Sequence, residues 1–261
     1  MNRFMSALAS LFIITGLAYG GYWVYQHQED PRKPGHFIVL LDRSASLPPD
    51  PECRALAGLV EEIYDSQAAL EDSTLDLMVT GDESTLYEPI AVATVRIPVF
   101  NRLVEGKEAT QNQRRALLLE LQAQCRQHNT PVLESAIVLG IERGIQQLTA
   151  LGCQADSACR LLVRSDGRET IDPFFKESMD KGHVVERQAP KLDTSVVQVT
   201  TCGSAMTRAN VASGKKKGKS APDFMSNARL LSELWTQSVS HPRNLVQRPV
   251  CPGSTATALE Q

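Results

Sequence analysis

Three short polar signatures in this chain carry side chains able to hold a hard cation: Asp42-Arg43-Ser44-Ala45-Ser46, Thr130 ahead of a proline, and Asp166 within Ser165-Asp166-Gly167. Together Asp42, Ser44, Ser46, Thr130 and Asp166 offer two carboxylates and three hydroxyls. All are hard oxygen donors, the type that Mg²⁺ or Mn²⁺ takes into an octahedral shell, and neither thiol nor imidazole stands among them. Each signature alone is a common turn or helix cap. A binding site requires elements that bring all three together.

The intervening sequence supplies such elements. His36 to Leu41 is a short continuous apolar run ending at Asp42, as expected for a strand buried on both faces of a parallel sheet. Leu56, Leu59, Val60, Ile63 and Tyr64 recur at helical steps, and strands follow over Leu75–Thr80 and Ile90–Val99. Residues 108–127 read as a helix, and a second runs from about Val132 to Leu148, with Pro131 suited to a first turn. Arg160–Ser165 and Thr194–Thr201 are further strands, and Leu230–Val239 is a final amphipathic helix. Strands alternating with helices imply an α/β fold, a mostly parallel central sheet with helices on both faces. Such a sheet binds ligands beyond the carboxyl ends of its strands, where the three signatures fall.

In that order and on those elements, IVLLDRSAS, TPVLESAIVLGIE and LLVRSDG resemble the von Willebrand factor type A (VWA) domain, over roughly residues 36–240. The resemblance implies a Rossmann-like three-layer sandwich with a metal-ion-dependent adhesion site. In it Ser44, Ser46 and Thr130 would contact the ion through hydroxyls, and Asp42 and Asp166 directly or through water. Neutral hydroxyls in direct positions leave the ion much of its charge, so its open place accepts an acidic side chain from a partner protein. Arg43 and Arg164 flank the expected ion, and their charge would weaken its binding or help recruit the acidic partner. The resemblance also raises a shift of the last helix, here the one with Leu230, Leu231, Leu234 and Trp235, on ligand binding.

Ahead of this domain, Phe4 to Tyr25 is 22 residues without a formal charge, long enough to cross a hydrocarbon core of about 30 Å. Aromatic residues crowd its end and a polar, proline-broken stretch follows, so residues 1–25 read as a transmembrane signal anchor in the lipid bilayer and 26–35 as a linker. A cleaved signal peptide ending near Ala18-Tyr19-Gly20 is the competing reading. The VWA-like domain is expected over 36–241 and an irregular tail over 242–261. Six cysteines behind an exported-looking start favour disulfides and an extracytoplasmic domain. Cys153–Cys159 is the most credible local pair, with Cys53, Cys125, Cys202 and Cys251 left unassigned.

Composition narrows the remaining classes. The chain has 261 residues, 42% hydrophobic and 22% charged, with a net charge of −3, which gives it an ordinary core and no general attraction to nucleic acid. Gly214 to Ser220 imitates a phosphate-binding loop, but the required first glycine is Ser213, so nucleotide is not expected. Asp42 resembles the nucleophile of aspartyl phosphotransferases and hydrolases, yet position 44 is Ser where the second carboxylate would stand. The expectation is a non-enzymatic adhesion or assembly module. A metal-dependent hydrolase or phosphotransferase and a cytosolic-facing scaffold with reduced cysteines are the alternatives.

Overall fold

The computed structural model describes residues 35–47, 50–65, 73–97, 107–154, 158–203 and 224–252. The expected anchor, the linker up to residue 34 and the lysine-rich run of 214–220 lie outside them. Among the described residues no helix is long and apolar enough to cross a membrane.

β1 (His36–Leu41) has five successive buried residues, as its unbroken apolar run requires. It is flanked by two parallel neighbours, β2 (Thr74–Val79) and β4 (Arg160–Arg164). β3 (Ile90–Arg96) adds antiparallel to β2, and β5 (Gln198–Cys202) and β6 (Leu245–Arg248) extend the other side in parallel, giving the order β3-β2-β1-β4-β5-β6. The chain leaves β1 toward β2 and later returns to its other side at β4. The carboxyl ends of β1 and β4 therefore border the point where strand order reverses, the crevice in which open α/β sheets bind ligands.

Alternate residues of each strand feed two cores. Phe37, Val39 and Leu41 face α1 (Arg54–Asp65) and α2 (Lys107–His128), meeting Leu56, Leu59, Ile63 and Leu121. Ile38 and Leu40 face the opposite layer of α3 (Ile137–Ala150), α4 (Pro173–Lys181) and α5 (Phe224–Ser238). The three-layer α/β architecture expected from the sequence is present. α3 lies close on β1 because Gly140 faces the sheet, where an added Cβ would come within 2.8 Å of Leu40 Cδ2.

Two elements depart from the sequence reading. α4 was not anticipated, although Asp172 caps it by accepting from the amides of Phe174 and Phe175, Pro173 opens it and Gly182 ends it. The segment expected to be an irregular tail contains β6, so the sheet continues past residue 241. A disulfide between Cys202 and Cys251 ties that segment to β5. All six cysteines are paired: Cys153–Cys159 as expected, Cys53–Cys125 between the amino end of α1 and the last turn of α2, and Cys202–Cys251. Three disulfides in one domain are the mark of an oxidising environment.

Candidate metal centre

Asp42 follows β1 directly, and its amide donates to the Arg164 carbonyl at 2.9 Å, carrying the ladder one residue further. Its carboxylate turns inward and is 1% exposed. Oδ1 accepts from the Ser44 amide at 2.8 Å and the Ser135 hydroxyl at 2.9 Å. Oδ2 accepts from the hydroxyls of Ser165 at 2.8 Å and Ser44 at 3.1 Å. Ser46 completes the group, its hydroxyl 2.8 Å from that of Ser44.

Asp166 follows β4 and is fully buried. Its Oδ1 accepts from the Arg168 amide at 3.0 Å, while the Gly167 amide donates to Ser165 Oγ at 2.9 Å. Burial pushes Asp42 up to about 6, and the negative charge of Asp166 adds to the rise, against the opposing hydrogen bonds from Ser165, Ser44 and Ser135. Two buried carboxylates that repel one another are a site at which a cation lowers the energy.

The loop before α3 differs from its expected form. Val132 is not helical: its amide donates to the Arg43 carbonyl at 3.0 Å and its carbonyl accepts from the Ala45 amide at 2.9 Å, a parallel bridge alongside Ser44. Pro131 supports this by biasing Thr130 toward extended backbone. The helix begins only at Ile137. Thr130 is exposed and, among the described residues, makes no hydrogen bond to the cluster. The hydroxyl that this loop brings to Asp42 is that of Ser135.

Glu169 then joins the two later loops. α3 starts from Ala136, which has no capping side chain, and the buried Glu169 substitutes for one. Its Oε2 accepts from the Val138 amide at 2.7 Å, and its Oε1 from the amides of Ile171 at 2.7 Å and Asp172 at 3.1 Å. Burial pushes Glu169 up to about 7, with those three amide donors opposing. Beside it Ser135 and Thr170 are linked by three hydrogen bonds, the Ser135 amide donating to Thr170 Oγ1 at 2.7 Å, and the Thr170 amide and hydroxyl donating to the Ser135 carbonyl at 3.0 and 3.3 Å.

The two arginines behave differently. Arg43 is drawn over the end of β2, donating to the Thr80 carbonyl through Nε at 3.0 Å and Nη2 at 2.6 Å, with Asp82 at 3.5 Å. Arg164 is buried, and burial holds its guanidinium below the ordinary range while the charges of Asp50 and Asp42 act in the opposite direction. Arg164 is thus the cation whose field reaches Asp42.

Asp42, Ser44 and Ser46 share one hydrogen-bonded group, Asp166 is close enough for its charge to act on Asp42, and Thr130 stays outside the group. Ser135 and Ser165 belong to the group and were not singled out from sequence. The only sequence signal for them is adjacency, Ser165 immediately before Asp166 and Ser135 just ahead of the helix. Among the described residues no three His, Cys, Asp or Glu side chains cluster as a metal-holding group. The donor set here is instead two carboxylates with serine hydroxyls.

No protein-family model matches the chain, and no curated protein does. Solved structures with similarity include proximal thread matrix protein 1 of the mussel byssus, at 11% identity and TM-score 0.40 over 84% of this chain and 44% of that one. Manganese-loaded TRAP protein of Plasmodium vivax matches at 12% identity and TM-score 0.37 over 77% of this chain and 73% of that one. The pilus adhesin SpaC of Lactobacillus rhamnosus GG, in its open conformation, matches at 13% identity and TM-score 0.43. That match covers 88% of this chain and 29% of SpaC.

Proposed function

We propose that this chain is a membrane-anchored, extracytoplasmic VWA-like module. It binds Mg²⁺ or Mn²⁺ among Asp42, Ser44, Ser46 and Asp166 and, through the ion, an acidic side chain of a partner protein. The observation that carries this reading is the pair of buried carboxylates, Asp42 and Asp166, at the switch point of the sheet and surrounded by serine hydroxyls. The donor chemistry fits a hard divalent ion, and the mutual repulsion of the two acids gives it a driving force. Thr130, the fifth ligand implied by the family resemblance, would have to turn inward from its exposed position. Ser135 already stands at Asp42 and is the nearer hydroxyl of that loop.

A role as an adhesion or assembly module rather than an enzyme is supported by position 44, a serine where the acid or base carboxylate of an aspartyl phosphotransferase would stand. Anchoring through residues 4–25 rests on their uncharged sequence, and extracytoplasmic placement on the three disulfides.

The test is titration of Mg²⁺ and of Mn²⁺ into the detergent-solubilised full chain by calorimetry, repeated with Asp42→Ala, beside a panel of phosphoesters. The expected result is single-site uptake that the substitution abolishes, with no turnover. An absence of uptake by the unsubstituted protein overturns the reading. Metal-dependent turnover lost with the same substitution transfers it to the hydrolase class.

A further inference from the structure

The rim of this site carries apolar side chains that the fold leaves in solvent. Of the five large hydrophobic residues exposed among the described residues, the two most exposed are Leu133 at 92% and Leu86 at 82%, and both lie on loops at the carboxyl end of the sheet. Leu133 directly follows Val132, which pairs with Ser44, and stands two residues before Ser135, which reaches Asp42. Leu86 lies on the loop between β2 and β3. The next residue, Tyr87, donates its hydroxyl to Glu134, so the two leucine-bearing loops are latched side by side.

The loop that presents Leu86 is built at a conformational cost. Leu86 and Tyr87 both have left-handed backbone, with φ of 53° and 62°, a strain of about 1–3 kcal/mol for each such residue. Amide hydrogen bonds from Leu86 to Glu83, Tyr87 to Asp82 and Glu88 to Thr85 hold it, and Arg43 fastens its base through Thr80 and Asp82. Gly81 allows the loop to close on itself, since a Cβ there would stand 2.1 Å from the Glu88 carbonyl oxygen. A strained turn that holds a leucine outward adds nothing to the core. Beside the two leucines the rim carries Glu83 and Glu134, both exposed and without an ion pair among the described residues.

We infer that Leu86 and Leu133 form an apolar docking ridge beside the ion, fitted to a protein segment that carries an apolar residue and a basic residue next to its acidic one. The inference rests on the proposed ion site. The acidic residue takes the open coordination place, the apolar residue covers the leucines, and the basic residue faces Glu83 and Glu134. Charge decides for a segment of this mixed kind over a wholly acidic one, which the rim carboxylates would repel.

The experiment uses the solubilised full chain and a bead-displayed peptide library with a fixed central Glu and randomised flanks, sorted in Mg²⁺ and in chelator. A parallel library has a central Gln. The expected result is Mg²⁺-dependent retention of Glu peptides enriched in large apolar and in Lys or Arg residues at the flanks. The double variant Leu86→Ser/Leu133→Ser should keep the Mg²⁺ and Glu dependence and lose the apolar preference by at least about tenfold. Glu83→Lys should weaken the basic preference, and this variant leaves the Tyr87–Glu134 latch, the leucines and their strained turn in place. Mg²⁺-dependent retention of Glu peptides with no flanking preference overturns the ridge and leaves the ion site standing. So does a preference unchanged in both variants. No difference between Glu and Gln libraries in Mg²⁺ overturns the ion site and the ridge with it.

Discussion

Replacing Asp42 by Asn should stabilise the metal-free protein at neutral pH. Asp42 is buried and its native pKa is about 6 against an ordinary 3.8. A raised acid costs nothing where both states hold the proton. As pH rises above the unfolded value, the unfolded chain releases its proton first, and stability falls until the native group has also ionised. At pH 7.5 the loss is complete, about 3 kcal/mol at 1.36 kcal/mol per unit. Asn carries no charge and avoids it. Its carbonyl can keep the Oδ1 place, where the Ser44 amide can only donate. Its amide takes the Oδ2 place, where both partners are hydroxyls able to reverse direction. The Ser165 hydroxyl, which already accepts from the Gly167 amide, then lacks an acceptor for its own proton, a loss of about 1 kcal/mol. The net gain for Asp42→Asn is about 2 kcal/mol at pH 7.5 in chelator, falls to zero at about pH 4.5, and becomes a loss of about 1 kcal/mol below the unfolded pKa. Urea unfolding of both proteins across this range measures it, and titrations common to both cancel in the difference. With Mg²⁺ at one hundred times its Kd the unsubstituted protein gains about 2.7 kcal/mol, and the order closes or inverts. A variant less stable than the parent at pH 7.5 without metal, or a difference independent of pH, would refute the reasoning.

Glu169→Gln should be destabilising only at low pH. All three partners of Glu169 are backbone amides, which cannot accept, so the new amide group must face a donor and α3 loses its substitute cap; the expected loss is about 2 kcal/mol in urea unfolding near pH 4, and it is offset by about pH 6 because the parent bears a charge cost there that Gln does not. The pKa of Glu169, raised to about 7 from an ordinary 4.5, makes the parent's stability decline as pH rises from the lower value through the upper one. In the variant that part of the decline should be absent. The disulfides should differ in worth according to the loops they close: opening Cys53–Cys125, with a sequence separation of 72, should cost about 4 kcal/mol. Opening Cys153–Cys159, with a separation of 6, should cost about 2 kcal/mol. Paired Cys→Ser variants in urea unfolding test the ranking.

The sheet was legible where burial and period agree. β1, β2, α1 and α2 fall within a residue or two of their expected limits because each carries one uninterrupted pattern. β6 was not, since the four residues LVQR have no pattern of their own and become a strand by pairing with β5, beside a disulfide between distant cysteines. α4 left legible marks, Asp172-Pro173 before it and Gly182 after, but nine residues are too few for periodicity to announce a helix. The start of α3 was misplaced by five residues because Val132 finds a backbone partner in the loop after β1, a long-range pairing invisible in the local string. The same pairing separates Thr130 from Ser135. Serines are too common for spacing alone to mark Ser135 and Ser165, whereas the fold makes their hydroxyls converge on one carboxylate.

Asp42 and Glu169 are both buried acids with raised pKa, and the nature of their partners divides their work. Three of the four hydrogen bonds to Asp42 come from hydroxyls, which can turn a lone pair toward an arriving cation without moving the backbone. The bonds to Glu169 come from amides fixed in three peptide planes, and they hold the loop of Ser135 to the loop of Asp166 whether or not an ion is bound. Changing the direction of a few hydroxyls costs far less than rearranging packed loops. The adaptable acid therefore stands in the proposed ion site, and the fixed acid stands three residues beyond Asp166, where it holds two loops together. Trp235, donating to the Gly167 carbonyl at 3.3 Å, braces that second loop from α5. For the proposed ion, ligands able to reorient would thus be carried on loops that stay in place.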